Sequence, residues 1–190
     1  MISAILLAAG QSKRMINENK LTKKIKGMPL IKHAVKNILD SQVDELIVVL
    51  GFEKEIIEKL IDKNKKIKIV FNENFKKGMA SSIKKGLNEL SIKTDAFFIC
   101  LGDMPAVSKN TYNQLINFKN KNEIIVPIYK NQQGNPVLFS QSIKEKIMSI
   151  SGDSGAKKIL KTNQDKIFKL KIEDEGITKG FDTQENFNYS

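Results

Sequence analysis

The chain has 190 residues, 41% of them hydrophobic, and a formal net charge of +11. This length is enough for one domain with a substantial core. No stretch approaches the roughly 20 apolar residues of a membrane span. The single cysteine excludes an internal disulfide, and one cysteine with one histidine make a poor set of zinc ligands. We therefore expect a cytoplasmic protein without a membrane partner.

The positive charge raises the question of nucleic-acid binding. Lysines are spread along nearly every segment, and the familiar DNA- and RNA-binding signatures are absent, which argues against that function. Arg14 is the only arginine among the 32 lysines and arginines. Its guanidinium can hold a phosphate in a bidentate manner that lysine cannot.

Apolar runs and segments of helical period alternate along the chain. The predicted strands are, in order, Ile2–Leu7, Glu45–Leu50, Ile67–Phe71, Ala96–Leu101, Ile124–Pro127, Pro136–Phe139 and Ile167–Leu170. The predicted helices are Pro29–Leu39, Lys54–Asp62 and Ala80–Leu90.

Several of these strands are apolar without interruption, which is typical of parallel strands covered by helices on both faces. The segment 124–139 holds two strands around Asn131–Gly134, so a hairpin there would make the sheet mixed. The sequence thus predicts an α/β fold. Ligands of such sheets bind beyond the carboxyl ends of the strands. Two of those ends carry chemically useful residues.

The first is the loop Ala8–Arg14. Its small residues leave backbone N–H groups accessible to an anion, while Ser12, Arg14 and Lys20 could add a hydroxyl and charges. No Walker A or Gly-x-Gly-x-x-Gly pattern occurs. The alternative is an ordinary strand-to-helix turn with a capping Ser12 and solvated basic residues.

The second is Asp103, which follows the most hydrophobic strand and Gly102. A carboxylate there could hold magnesium while waters and substrate phosphates supply the other ligands. The alternative is a turn aspartate that accepts local hydrogen bonds. Ser81 and Ser82 lie where a helix should start, so they could cap it, contact a ligand, or both.

Seven segments occur in the order found in one family of enzymes. They are Leu7–Met15, Lys20–Leu21, Gly78–Ile83, Gly102–Pro105, Gly134–Phe139, Gly152–Lys157 and Phe181–Thr183. Together they resemble the molybdenum cofactor cytidylyltransferases among the MobA-like NTP transferases. The resemblance covers almost the whole chain, and Leu-Ala-Ala-Gly at its start is similar to the cytidylyl branch.

The resemblance implies a three-layer Rossmann-like fold of the nucleotide-diphospho-sugar-transferase type, with a mixed, mostly parallel sheet and helices on both faces. It implies magnesium as cofactor, with metal ligands Asp103 and Asp182, and catalytic residues Arg14, Lys20 and Asp103. The implied nucleotide-binding residues are Leu7, Ala8, Ala9, Gly10, Ser12, Arg14, Lys20, Ser81, Ser82 and Gly102. The implied acceptor-binding residues are Asn135, Pro136, Asp153 and Gly155.

The implied reaction moves CMP from CTP onto molybdopterin or molybdenum cofactor and releases pyrophosphate. A molybdenum hydroxylase apoenzyme is the implied protein partner. We expect one domain over 1–190, with an NTP-binding half near 1–105 and an acceptor-binding half near 106–190. Two alternatives stay open: a sugar or polyol phosphate as acceptor, and a non-catalytic cofactor carrier.

Overall fold

A computed structural model describes residues 1–12, 19–152 and 155–181. The strands of this part of the chain are β1 (Ile2–Ala8), β2 (Lys24–Ile25), β3 (Met28–Pro29), β4 (Glu45–Leu50), β5 (Ile67–Phe71), β6 (Ala96–Leu101), β7 (Ile124–Tyr129), β8 (Gln132–Gln133), β9 (Val137–Ser140) and β10 (Ile167–Lys171). The α-helices are α1 (Leu30–Leu39), α2 (Lys54–Lys59), α3 (Met79–Asn88), α4 (Lys109–Asn117), α5 (Lys144–Met148) and α6 (Lys157–Thr162).

The central sheet has the order β10-β7-β9-β6-β1-β4-β5, with β8 paired to β7. The strands β6, β1, β4 and β5 are parallel neighbours, and β9 lies antiparallel to both β6 and β7. The predicted mixed, mostly parallel sheet is therefore confirmed. In the register of β1, Leu7 lies opposite Val49 of β4 and Leu101 of β6.

The apolar core lies on both faces of this sheet. Successive residues of β1 alternate between the two sides, so Leu6 packs with Ile31 and Leu115 on one face while Ile5 packs with Ile83 on the other. This alternation explains why the strand reads as an unbroken apolar run. None of the described helices is long and apolar enough to cross a membrane.

All seven predicted strands form, with ends that shift by up to two residues. The predicted helix at 54–62 ends at Lys59, whereas α1 and α3 differ from prediction by one or two residues at an end. The helix α4 was not predicted, because its buried residues include the polar side chain of Thr111 and the apolar period is weak. The division into an NTP-binding and an acceptor-binding half stays a prediction.

Candidate functional site

The loop that follows β6 contacts the end of β1 at the carboxyl edge of the sheet. The backbone N–H of Gly102 donates to the carbonyl of Leu7 at 3.0 Å. A Cβ at Gly102 would lie 3.1 Å from that same carbonyl oxygen, so a side chain there would press the loop away from β1. The first loop and the predicted metal carboxylate, Asp103, are thus neighbours, as the strand-end argument predicted.

The first loop offers its backbone rather than its side chains. Ala8 ends β1 and is 1% exposed, and Ala9 is 5% exposed, so both methyl groups belong to the core. The carbonyl of Ala9 accepts from the N–H of Phe52 at 3.3 Å, which ties the loop to the end of β4. Gly10 is exposed, and a Cβ there would meet no atom of the described residues within 4 Å. These residues therefore leave the space above Gly10 open to a ligand.

Ser12 links the predicted phosphate loop to the turn that begins at Lys20. Its hydroxyl oxygen accepts from the backbone N–H of Lys20 at 3.1 Å, and its own backbone has a φ of 50°. This contact holds the start of the short 3₁₀ turn Lys20–Thr22 against the loop. Arg14 lies outside the described residues, so its predicted contact with phosphate stays a prediction.

Lys20 and Asp103 form an ion pair through Nζ and Oδ2. Their side chains are 16% and 19% exposed, so the pair is largely withdrawn from water. Two anchors position it: Asn19 caps the Lys20 turn by accepting from the N–H of Leu21 at 3.1 Å, and Asp103 accepts through its carbonyl from Phe181 N–H at 2.9 Å. The site thus pairs one cation with one carboxylate at the sheet edge.

The residues around Asp103 suit a metal that the substrate also binds. Within the described ranges there is no group of three His, Cys, Asp or Glu side chains that could hold an ion. A single carboxylate matches Mg²⁺, which keeps several waters and takes its other ligands from substrate phosphates. Asp182, the second predicted ligand, lies outside the described residues, and its role stays a prediction.

Ser81 and Ser82 do not cap α3, so the capping prediction is wrong. The helix begins at Met79 with Gly78 as N-cap, at φ 101°, and no side chain bonds to the first turn as a cap. Both serines instead bond to the amide of Asn72. Sequence reasoning missed Asn72, although an asparagine directly after an apolar strand was a signal for a polar group at the ligand edge.

The predicted acceptor residues attach to two different parts of the fold. Asn135, which precedes a cis peptide bond to Pro136, donates through its N–H to the carbonyl of Ile177 at 2.8 Å. Gly155 has a φ of 53° and lies so close to Met79 that a Cβ would be 2.6 Å from the sulfur. Gly155 therefore neighbours the start of α3 rather than Ile177. Asp153 lies outside the described residues.

Residues 172–181, here called the C-terminal strap, are held by hydrogen bonds to the partly buried carboxylate of Asp174. Asp174 accepts from Thr111 Oγ1 at 2.6 Å, from Ser108 N–H at 2.9 Å and from Gly176 N–H at 2.9 Å. Partial burial acts to raise the pKa of Asp174, but these hydrogen bonds together outweigh it and lower the pKa. The strap thereby leads from β10 back to Asp103, which bonds to Phe181.

Comparisons with known proteins bear on this site. A family model described as the MobA-like NTP transferase domain matches residues 4–167. Purine catabolism protein PucB of Bacillus subtilis is 27% identical over 192 residues, which cover 97% of this chain and 93% of PucB. Bifunctional protein GlmU of Acetivibrio thermocellus is 26% identical over 161 residues, covering 84% of this chain but 33% of GlmU. The chain thus spans about a third of the length of GlmU.

A solved structure shares the fold over nearly the full length of both chains. Rv0371c from Mycobacterium tuberculosis H37Rv superposes with a TM-score of 0.88 and 22% identity, covering 99% of this chain and 96% of that chain.

Proposed function

Since the chain belongs to the MobA-like NTP transferase domain family, we propose that it transfers a nucleoside monophosphate from an NTP to a phosphorylated acceptor, releasing pyrophosphate. The observation that carries the proposal is the ion pair of Lys20 and Asp103 beside the open backbone loop at Gly10. A cation, a carboxylate and an exposed backbone loop at one sheet edge suit a triphosphate with a divalent metal.

The proposed reaction is an in-line substitution at the α-phosphorus. An oxygen of the acceptor phosphate forms a new bond to the α-phosphorus, while the bond to the bridging oxygen of the β-phosphate breaks and pyrophosphate leaves with the electron pair. The attacking phosphate is already ionised at neutral pH, so no side chain needs to act as a general base. Positioning and charge neutralisation therefore supply most of the rate enhancement.

Each residue has a distinct part in this proposal. Magnesium, when bound at Asp103 and Asp182, would neutralise charge on the reacting phosphates. The backbone around Gly10 binds the phosphate oxygens. Lys20, which contacts Asp103 in the structure, would exchange that carboxylate for the departing pyrophosphate, and Arg14 would hold the same group.

We further propose CTP as the nucleotide and a molybdopterin-type phosphate as the acceptor. This choice is supported by the resemblance of Leu7–Met15 and Gly134–Phe139 to the cytidylyl branch. The relatives PucB and GlmU carry names that point to different processes, so the family alone leaves the acceptor open. The experiment below therefore includes sugar phosphates.

The test is a pyrophosphate-release assay with each NTP, magnesium and either a molybdopterin-type acceptor or a sugar phosphate. We expect release with CTP and the molybdopterin-type acceptor. Asp103→Asn should reduce that release by about 100-fold, since charge neutralisation at the reacting phosphates is lost. The matched control is Asp62→Asn, because Asp62 is a surface carboxylate with an 85% exposed side chain.

Three results would contradict the proposal at different levels. Pyrophosphate release with a sugar phosphate but not with the molybdopterin-type acceptor would contradict the proposed acceptor and leave the proposed reaction standing. Nucleotide binding without release for any acceptor would indicate a carrier. Full activity of Asp103→Asn would remove the assigned role of this carboxylate.

A further inference from the structure

The C-terminal strap lies alongside the loop of residues 103–108, which follows β6 and begins with Asp103. At one end of this loop, the N–H of Phe181 donates to the carbonyl of Asp103 at 2.9 Å. At the other end, the N–H of Ser108 donates to Oδ2 of Asp174 at 2.9 Å. The start of the loop thus contacts the end of the strap, so the two segments run in opposite directions.

The middle of the strap packs directly on the middle of the same loop. A Cβ at Gly176 would be 2.3 Å from the carbonyl oxygen of Ala106 and 2.5 Å from its carbonyl carbon, so a side chain does not fit there. The next residue, Ile177, accepts through its carbonyl from the N–H of Asn135 at 2.8 Å. The strap therefore contacts both the Asp103 loop and the segment around Asn135.

The carboxylate of Asp174 joins the strap to the far end of this loop. Its Oδ2 accepts from the N–H of Ser108 and from the hydroxyl of Thr111, which is 1% exposed. Its Oδ1 accepts from the N–H of Gly176, within the strap itself. All three partners donate, and an ionised carboxylate is a side chain of this size that can accept from all of them. The strap is therefore fixed to the loop through one charged group.

Two backbone hydrogen bonds hold Asp103 in place, and they come from different parts of the fold. On the side of β1, the N–H of Gly102 donates to the carbonyl of Leu7 at 3.0 Å. On the other side, the carbonyl of Asp103 accepts from Phe181 of the strap. The first bond forms with the sheet, whereas the second needs the strap to be in place. A metal ligand must be held to within about 0.5 Å, so both bonds matter for its position.

We propose that Asp174 is a positioning residue for the metal-binding carboxylate of Asp103. It fixes the strap to the loop, and the strap in turn holds the backbone of Asp103 where its side chain meets the divalent metal. The inference rests on the part of the proposed function that gives Asp103 this metal. Outer partners of this kind orient the groups that bind a metal and thereby raise its affinity.

The decisive variant is Asp174→Asn, which keeps the size of the side chain. Its amide nitrogen cannot accept, so it must face the N–H of either Gly176 or Ser108. In either orientation two donors meet where a hydrogen bond was, and the strap is no longer fixed at both oxygens. We expect the Mn²⁺ dissociation constant of the nucleotide-free protein to rise about tenfold, the lower end of the effect of such outer partners. Electron paramagnetic resonance measures it at a temperature where the variant is folded.

A second measurement separates positioning from a general loss of structure. The backbone around Gly10, proposed to bind phosphate oxygens, is anchored through Ala9 to Phe52 and not through the strap. The dissociation constant for CTP in EDTA, measured by calorimetry, should therefore stay within about twofold of wild type in Asp174→Asn. Adding Asp174→Asn to Asp103→Asn should not weaken Mn²⁺ binding further, because the effect acts through Asp103.

Glu45→Gln is the matched control. Glu45 begins β4 at the opposite edge of the sheet, and its carboxylate also accepts from a hydroxyl and a backbone N–H. These donors are Ser3 Oγ at 2.8 Å and the N–H of Ser91 at 3.4 Å. The control removes the same kind of group far from Asp103, so the Mn²⁺ dissociation constant should stay that of wild type.

The outcomes distinguish this inference from the proposed function. A wild-type protein that binds no Mn²⁺ overturns both. A wild-type protein that binds Mn²⁺ but releases no pyrophosphate with any acceptor overturns the proposed function alone. Unchanged Mn²⁺ binding in Asp174→Asn, an equal loss in Glu45→Gln, or an equal loss of metal-free CTP binding overturns the inference alone.

Thr111→Val keeps the test decisive if Asp174→Asn does not fold. It removes one of the three donors to Asp174 and preserves the shape of the buried side chain. We expect the Mn²⁺ dissociation constant to rise about threefold, the value of one hydrogen bond. Mn²⁺ binding like that of wild type in this variant would overturn the inference.

Discussion

Alanine at Gly51 should destabilise the protein, whereas alanine at Gly10 should not. A Cβ at Gly51 would lie 2.7 Å from the Cβ atoms of Ala9 and Phe75 and 2.8 Å from the carbonyl oxygen of Ala9. Since ordinary contacts begin near 3.4 Å, the backbone must move by several tenths of an ångström. Overpacking of this kind costs about 2 kcal/mol, which lowers the melting temperature of a chain of this size by about 4–8 °C.

Gly10→Ala is the matched variant in the same loop. Its Cβ would meet no atom within 4 Å in the part of the chain that the structure describes, so the free energy of unfolding should stay at or slightly above that of wild type. The new methyl group would instead occupy space assigned to phosphate, and we expect the dissociation constant for NTP to rise by about tenfold. Urea unfolding and calorimetric titration of both variants check this. A Gly51→Ala protein of wild-type stability would refute the packing argument, and an unaltered NTP affinity in Gly10→Ala would place the phosphates elsewhere.

Three further predictions concern charged and buried groups. Lys20→Met should tighten binding of Mn²⁺ to the nucleotide-free protein by about 3- to 10-fold, measured by electron paramagnetic resonance, because Asp103 loses its competing cation; unchanged binding would show that the ion pair does not compete. The pKa of Asp174 in the folded protein lies below its ordinary value of 3.8. The ionised carboxylate therefore stabilises the fold above that pH, and this contribution disappears as the pH falls through the folded pKa. The free energy of unfolding of Asp174→Asn, measured in urea at pH 7, should therefore be about 1.5–3 kcal/mol below that of wild type. If this difference in stability persisted at lower pH, the charge of Asp174 would not be its source. Burial raises the pKa of Cys100 to about 12, so a thiol reagent should label it only on unfolding, and rapid labelling of the native protein would contradict its burial.

The sequence allowed the sheet to be predicted better than the contacts beneath the site. Apolar runs such as Ala96–Leu101 mark buried strands directly, and the rule for strand ends placed Asp103 near the first loop. The weak period of Lys109–Asn117 hid α4, since its buried face consists of the polar Thr111 together with Tyr112 and Leu115. A local run of apolar residues is enough to predict a buried strand. A helix that is stabilised mainly by packing against its neighbours lacks such a local pattern.

Polar contacts between distant residues escaped prediction for a different reason. Ser81 and Ser82 carry the composition of a helix cap, and only the fold shows that Asn72 lies within reach of both. Two of the three partners of Asp174, Ser108 and Thr111, lie more than sixty residues away in the sequence, a separation that no local pattern reveals. Such networks depend on which loops the topology brings together.

The strand order also sets what a growing chain can assemble during synthesis. The parallel neighbours β5, β4, β1 and β6 are complete once Leu101 has been added, whereas β9, which covers the other edge of β6, ends at Ser140. Until then Phe97, Phe98 and Ile99 stand on an open edge with unpaired backbone groups. An open apolar edge can pair with another chain, so the stretch of translation between these two strands is when aggregation competes most directly with folding.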